Sequence, residues 1–382
     1  MNRRLRDILL QISFVGLLLV LIVGFLLNAY FNLKEQGITS GFYFLERQIG
    51  WDMGFAFMPT AISDPYWYAL LLALMNTVVI GYAAIALATI LGVGVAAMRI
   101  SGSSVLNTIA VGYIELIRNV PPLVQILAWY AVFTAFPPPR QALEFLGGVL
   151  LTARGLHVPA PNVSGMAIVL SCLVALICIA GLLWIALGKR FMFHQSLQKL
   201  KISAIVMAGS LVLICAIMAV LRLPDTPLIS YPALKGFNIS GGITMPPELT
   251  TILVGVTVFG SAFAAEIIRG GFLSVDTSKL EAGKALGMTG WSIFMKIRLP
   301  IAIRNIIPMM TNLYVWLIKA TALGVAVGFA DLFNVVVSAI VQSGHVIEFV
   351  IILAGAFWAV NAGFTILMNR FDRRLHAKEA RK

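Results

Sequence analysis

Residues 275–308 read VDTSKLEAGKALGMTGWSIFMKIRLPIAIRNIIP, a polar stretch set between two long apolar runs. Ser278 and Glu281 have the spacing of a capping box, in which the hydroxyl accepts from one free helix amide and the carboxylate reaches back to another. This predicts a short helix from Ser278, ended at Gly287 because glycine accepts the left-handed backbone of a helix C-terminus. Thr289 is placed to cap a second short helix, with Trp291, Phe294 and Ile297 three apart on one face. Pro300 should break that helix. Lys279, Lys284, Lys296, Arg298 and Arg304 dot the stretch, and the small residues Ala282, Gly283 and Ala285 would let another backbone approach closely. The expectation is a helix–turn–helix shaped to be gripped, on the charged side of a membrane.

The flanking sequence sets that membrane. Of 382 residues, 60% are hydrophobic and only 12% charged, which excludes an ordinary soluble domain. Lipid gives backbone groups no water to bond, so long apolar runs must span as helices. Eight spans are predicted, 8–30, 66–98, 105–136, 164–188, 202–222, 247–270, 303–328 and 346–369, making the chain an all-α integral membrane protein. The third contains Pro121-Pro122, which should break it. The net charge of +12 is scattered among loops, so it does not imply nucleic acid. With both termini in the cytoplasm, 20 of the 28 basic residues fall inside, as the positive-inside rule requires. Arg3, Arg4 and Arg6 precede an apolar run too long for a signal peptide, so a retained first span is expected. Trp51, Tyr66, Trp67 and Tyr68 suit an interfacial belt beside the outer segment 31–65. Outer segments 137–163 and 223–246 are rich in Gly and Pro and read as loops.

The spacing Glu281-Ala282-Gly283, three residues, Gly287, nine residues, then Ile297-Arg298-Leu299-Pro300 resembles the EAA loop of ABC-importer permeases. Gly283 stands where that family usually has alanine. Residues 113–125, Tyr-Ile-Glu-Leu-Ile-Arg-Asn-Val-Pro-Pro-Leu-Val-Gln, are similar to the signature of permeases for polar amino acids. Glu266-Ile-Ile-Arg269-Gly270-Gly271 and the run from Asn312 to Leu323 match the same family, that of general and polar L-amino-acid importers of the histidine/glutamine permease type. The resemblance covers 66–136 and 247–370. It implies a type I permease core of five helices, here with three extra spans, in the bacterial inner membrane. It also implies a coupling loop at 278–298 (Ser278, Glu281, Ala282, Gly283, Gly287, Trp291) docked on a separate cytoplasmic ATPase. The implied partners are two such ATPases, a periplasmic substrate-binding protein and a second permease subunit; Lys319 and the unusual insertion favour a heterodimer over a homodimer. The chain divides into an N-terminal span and outer segment, 1–65, a core 66–370 interrupted by the insertion 137–246 with two extra helices, and a basic cytoplasmic tail, 371–382.

Lys319 lies about 14 residues beyond Asn305, roughly 21 Å into the membrane by helical rise. An ionisable group that deep faces a polar cavity or a partner. It either attracts the substrate carboxylate or is a structural residue bonded to carbonyls. Thr321, Asn312, Asn76 and Gln125 could line the same path or act as interhelical hydrogen-bonding groups. Asn76 is followed by Thr77, a further polar group. Glu115 with Arg118 and Glu266 with Arg269, each three apart on a helix, can pair at the inner mouth. His157, His194, His345 and His376 have no metal spacing, and Cys172, Cys178 and Cys215 read as small core residues. No phosphate-cradling Gly-x-x-x-x-Gly-Lys-Ser/Thr occurs, so any ATP is expected to be hydrolysed by another polypeptide. With no nucleophile–base pair or metal set visible, the chain is not expected to be an enzyme or to carry a cofactor. ATP and Mg belong on the partner ATPase. Two other classes remain open: an ion-coupled secondary transporter, disfavoured by the lack of a carboxylate mid-span, and a membrane assembly subunit without a path of its own. The carried amino acid is not specified.

Overall fold

The computed structural model describes residues 3–35, 41–145, 147–168, 170–171, 174–175, 178, 181, 196–223 and 226–376. Eleven α-helices are described: α1 (Arg3–Glu35), α2 (Tyr66–Ile100), α3 (Ser104–Asn119), α4 (Pro122–Thr134), α5 (Ser196–Val220), α6 (Pro247–Leu273), α7 (Thr277–Ala285), α8 (Gly290–Ile293), α9 (Leu299–Ala320), α10 (Leu332–Ser343) and α11 (Val346–His376). Among the described residues six helical segments are long and apolar enough to span a membrane, or seven if the bent pair α3–α4 counts as one. The expected span 164–188 lies largely outside the described residues.

The bundle is centred on α2 and α6. Ala84, Ala88, Gly92 and Ala96 recur every four residues on α2 and are all buried. They meet Gly260, Ser261, Ala264 and Ala265 of α6. A Cβ on Gly92 would lie 2.7 Å from the Ala264 methyl, and one on Gly260 2.7 Å from Leu317 of α9. Between spanning helices, small residues bring backbones close and gain dispersion contacts that lipid cannot match. At one end Val95, Ala96, Ala110, Ile114, Ala265 and Ile268 join α2, α3 and α6. At the other, Phe44 from the 41–65 segment packs with Tyr66, Leu332 and Phe349. The 41–65 segment is therefore a cap on the bundle.

The expected break in the third segment is present: α3 and α4 meet at 105°. Pro121 has no N–H for the Ile117 carbonyl. Gln125 supplies the missing donor, its Nε2 reaching Ile117 O at 2.7 Å and Val120 O at 2.8 Å.

Two expectations need correction. The chain is not all-α, because 137–246 carries eight short strands. β1 (Leu143–Phe145), β2 (Val149–Thr152), β3 (Gly155–Val158) and β8 (Ile243–Met245) form one antiparallel sheet in that order. β4 (Ala160–Pro161) pairs with β5 (Ile229–Ser230), and β6 (Ala233–Lys235) with β7 (Asn238–Ser240). Both ends of the insertion thus share one sheet, with Leu156 opposite Met245. Buried His157 ties it, Nδ1 lying 2.9 Å from Thr244 Oγ1 and Nε2 3.3 Å from Thr152 Oγ1. Burial pushes the His157 pKa down, favouring the neutral ring.

The second correction is at Pro300, which does not break its helix. A π-helical turn, Phe294–Arg298, carries α8 into α9, with the Leu299 N–H on Phe294 O. The wider turn ahead of the proline lets one span run over Gly290–Val327.

Candidate functional site

The loop between α6 and α9 begins where Ser274 closes α6, its Oγ donating to Gly271 O at 2.9 Å. Asn305 Nδ2 donates to that Oγ at 2.8 Å, tying the loop's start to the next span. The N-cap of α7 is Asp276, not Ser278: the carboxylate accepts from the Ser278 N–H at 2.9 Å. Helix α7 accordingly starts at Thr277, and Glu281 is exposed rather than folded back. Hydrogen bonds from Ser278 hold the Asp276 carboxyl below the usual carboxylate range, with a smaller contribution from the Lys279 charge.

The expected end at Gly287 is present in detail. Gly287 has φ 70°; its N–H bonds Lys284 O at 2.9 Å and the Met288 N–H bonds Gly283 O at 3.1 Å. These are the two bonds of a Schellman motif. Thr289 caps α8 as expected, accepting from Ser292 N at 3.3 Å.

The loop therefore has an inside and an outside. Val275, Gly283 and Ile293 are buried. A Cβ on Gly283 would meet Ile297 at 2.9 Å and Ile293 at 3.2 Å, so this small residue serves packing within the loop. The small residues left exposed are Ala282 and Ala285, beside exposed Glu281. Leu286 and Trp291 add apolar surface at 81% and 68% exposure. Trp291 stacks on Phe294 at 5.8 Å and Phe294 on Phe272 of α6 at 5.9 Å, so the Trp291, Phe294 and Ile297 set divides between two contacts. A ladder of rings links the loop's outer surface to a spanning helix.

Just before the loop, Glu266 accepts from Arg269 at 2.8 Å and lies 3.6 Å from Arg99 of α2. Arg99 also donates to Asn107 of α3 at 2.7 Å. Tyr113 of α3 meets Ser261 of α6 at 2.6 Å. This network holds three helix ends in register beside the loop. Glu115 and Arg118 take other partners: Glu115 accepts from Asn119 at 3.1 Å, and Arg118 lies over the Phe263 ring at 5.2 Å.

The five polar residues of the spans divide sharply. Asn76 is fully buried and donates to Ala330 O at 2.8 Å and Phe55 O at 3.0 Å. Thr77 beside it accepts from Leu332 N at 2.9 Å. Thr321 is fully buried and donates to Ile318 O at 3.0 Å. Gln125 is buried in the α3–α4 elbow. By contrast, Asn312 and Lys319 are exposed on one face of α9 with Trp316 between them. Lys319 also lines a cavity of about 370 Å³ with Phe333, Val350 and Phe357. The structure brings Lys319 and Asn312 together and sets the other three apart.

Asp276 and Arg99 are contributors that the sequence reading missed. The first was legible, since aspartate two residues ahead of Ser278 is an equally good cap. The second had no sequence signal, because its partner Glu266 is 167 positions away. Among the described residues no group of three or more His, Cys, Asp or Glu side chains could hold a metal ion.

A family of proteins described as binding-protein-dependent transport system inner membrane component matches residues 84–377. The Escherichia coli K12 protein YhdX, whose name describes an amino-acid ABC transporter permease, is 32% identical over 97% of this chain and 93% of its own. The general L-amino acid transport system permease protein AapQ of Rhizobium johnstonii is 30% identical over 94% of this chain and 90% of its own. A crystal structure of an amino acid ABC transporter with histidines overlays with TM-score 0.48 and 20% identity, covering 81% of this chain and 95% of that one.

Proposed function

Because the chain belongs to the binding-protein-dependent transport system inner membrane components, we infer that it is the membrane permease subunit of an ATP-driven importer of L-amino acids. It is not itself an enzyme; hydrolysis takes place on a separate ATPase, where ATP and Mg are bound. The observation that carries this reading is the outer surface of the 274–293 loop. Leu286 and Trp291 stand exposed on a loop whose own seam is already filled by Gly283, Ile293 and Ile297. Exposed apolar residues on a polar, rigidly capped element mark a protein contact, and a tryptophan is a common energetic centre of one.

The ATPase docks here, on the cytoplasmic side, and its motion reaches α6 through the Trp291–Phe294–Phe272 stack. The Glu266–Arg269–Arg99 network keeps α2 and α6 moving as one body. The path runs along the face of α9 that carries Asn312 and Lys319, where a second permease subunit completes it. The Lys319 ammonium draws the substrate carboxylate. That subunit is a related chain rather than a copy, both termini are cytoplasmic, and 164–188, fourth in the chain, brings the spans to eight. The core is 66–136 with 247–370. The cap made by 41–65 and the sheet of 137–246 faces the periplasmic binding protein.

The test is co-purification from membranes carrying all subunits. The wild-type chain should retain the ATPase and Leu286→Asp should lose it, with the permease still folded. Retention of the ATPase by both Leu286→Asp and Trp291→Ala would contradict the reading.

A further inference from the structure

A second cavity, of about 640 Å³, lies beside the loop, between α2, the end of α6 and the start of α9. Its walls are apolar, with Val93, Ile307 and Met310 among them. Its hydroxyls are already satisfied: Thr89 and Tyr314 bond each other at 2.8 Å, and Ser101 donates to Met98 O at 2.8 Å. Beyond the one basic side chain at its mouth, an amino acid or nucleotide would find nothing there for its remaining polar groups, and leaving them bare is costly. An alkyl chain makes no such demand.

One charged side chain joins the lining, that of Arg298. Its guanidinium lies over the Phe272 ring at 5.7 Å, and its Nε is buried with no hydrogen-bond partner among the described residues. A guanidinium beside an oily slot, at the end of the bundle next to the polar 274–298 loop, complements an anionic group carried on an alkyl chain. Lys296 is exposed two residues away and adds positive charge. Val93 and Ile303, 51% and 38% exposed, leave the slot open on its flank.

We propose that this cavity binds an anionic phospholipid from the leaflet on the loop's side, one acyl chain along α2 and α9 and the phosphate on Arg298. The lipid would fill the space between the first residues of α9 and the end of α2, bracing the loop against the bundle. The proposal rests on the chain spanning a membrane, and it holds whether or not the loop grips an ATPase.

The test uses the full-length chain in its purified complex, reconstituted in phosphatidylcholine vesicles. These are doped with phosphatidylglycerol or phosphatidylcholine bearing a photoreactive group on the acyl chain. Adducts should form on peptides containing Val93 and Met310, with phosphatidylglycerol favoured about fivefold, the factor one basic residue near a membrane surface supplies. Arg298→Gln should equalise the two lipids, and Ile307→Trp should lower labelling by both. Equal labelling of the wild type by the two lipids would overturn the proposal. So would a lack of adducts on those peptides, which would mean the chain's own helices or the second subunit cover the slot. ATPase loss on loop substitution leaves this readout unaffected, so the two readings fail separately.

Discussion

The 274–298 loop and the backbone breaks inside the membrane, at 117–125 and 329–332, are both places where helices stop. Their polar residues face opposite ways. In the loop, Asp276 and Thr289 cap helices, Ile293 and Ile297 fill the seam, and Glu281, Leu286 and Trp291 are left facing out. In the breaks, Gln125, Asn76 and Thr77 turn inward and bond backbone groups that a straight helix would have satisfied. Water can serve a loop's free carbonyls, and lipid cannot serve those of a break. A polar residue within a span can therefore signal a repaired backbone as readily as a path. Of the five candidate path residues, Lys319 and Asn312 escape that bookkeeping, on the exposed face of α9.

The contrast predicts that inward groups set stability and outward groups set assembly. Asn76→Leu should have the largest effect on stability. It strips donors from two carbonyls, Phe55 O and Ala330 O, at about 1–3 kcal/mol for each group left bare. Thermal unfolding of the purified permease would show it; a Tm unchanged from wild type would undo the repair reading of this residue. Gln125→Leu should follow, since it also strips donors from two carbonyls, but ones at an elbow less buried than the Asn76 site, at about 1 kcal/mol each, with the α3–α4 elbow loosened. Its expected signature is faster amide exchange around Val120 while the α2–α6 interface stays protected.

Gly287→Ala tests the loop from its own side. The glycine has φ 70° and open space where a Cβ would go, so only backbone strain opposes the change, about 1–2 kcal/mol confined to the loop. Global Tm should barely move while ATPase retention drops. The smallest effect belongs to Asp276. Its carboxyl is held below the usual range by hydrogen bonds from Ser278. Its contribution to the cap is thus complete above the ordinary carboxylate pKa of about 4, and is lost as pH falls through the lower folded value. The protection of the Ser278 amide, its exchange rate relative to that of an unstructured peptide at the same pH, should fall only in that acid window. In Asp276→Asn, which cannot titrate, that protection should show no such dependence.

The loop was the most legible region of the sequence because its constraints are local. Gly287, Thr289 and the Ile297–Pro300 run each act within a turn of their partners, and spacing alone conveys them. Asp276 was displaced by Ser278 because two good caps stood two residues apart. Pro300 misled because a π turn upstream absorbs the missing donor, and nothing in the residue itself announces that. The sheet in 137–246 was illegible for a different reason. Its strands have two to four residues, too short for alternation to register, and β3 and β8 pair across the whole insertion. Gln125 could have been read from Pro121, four residues ahead, since the proline names the carbonyl that needs a donor. Asn76 could not, because its partners at 55 and 330 are set by the fold.

The central claim is that the loop is a handle for a separate motor. A photoreactive residue placed at Leu286 in intact membranes containing every subunit tests this most directly. An adduct joining this chain to the ATPase, formed from the cytoplasmic side, is the expected result. Reaction of that position with a membrane-impermeant reagent added outside intact cells, with no ATPase adduct, would contradict the account.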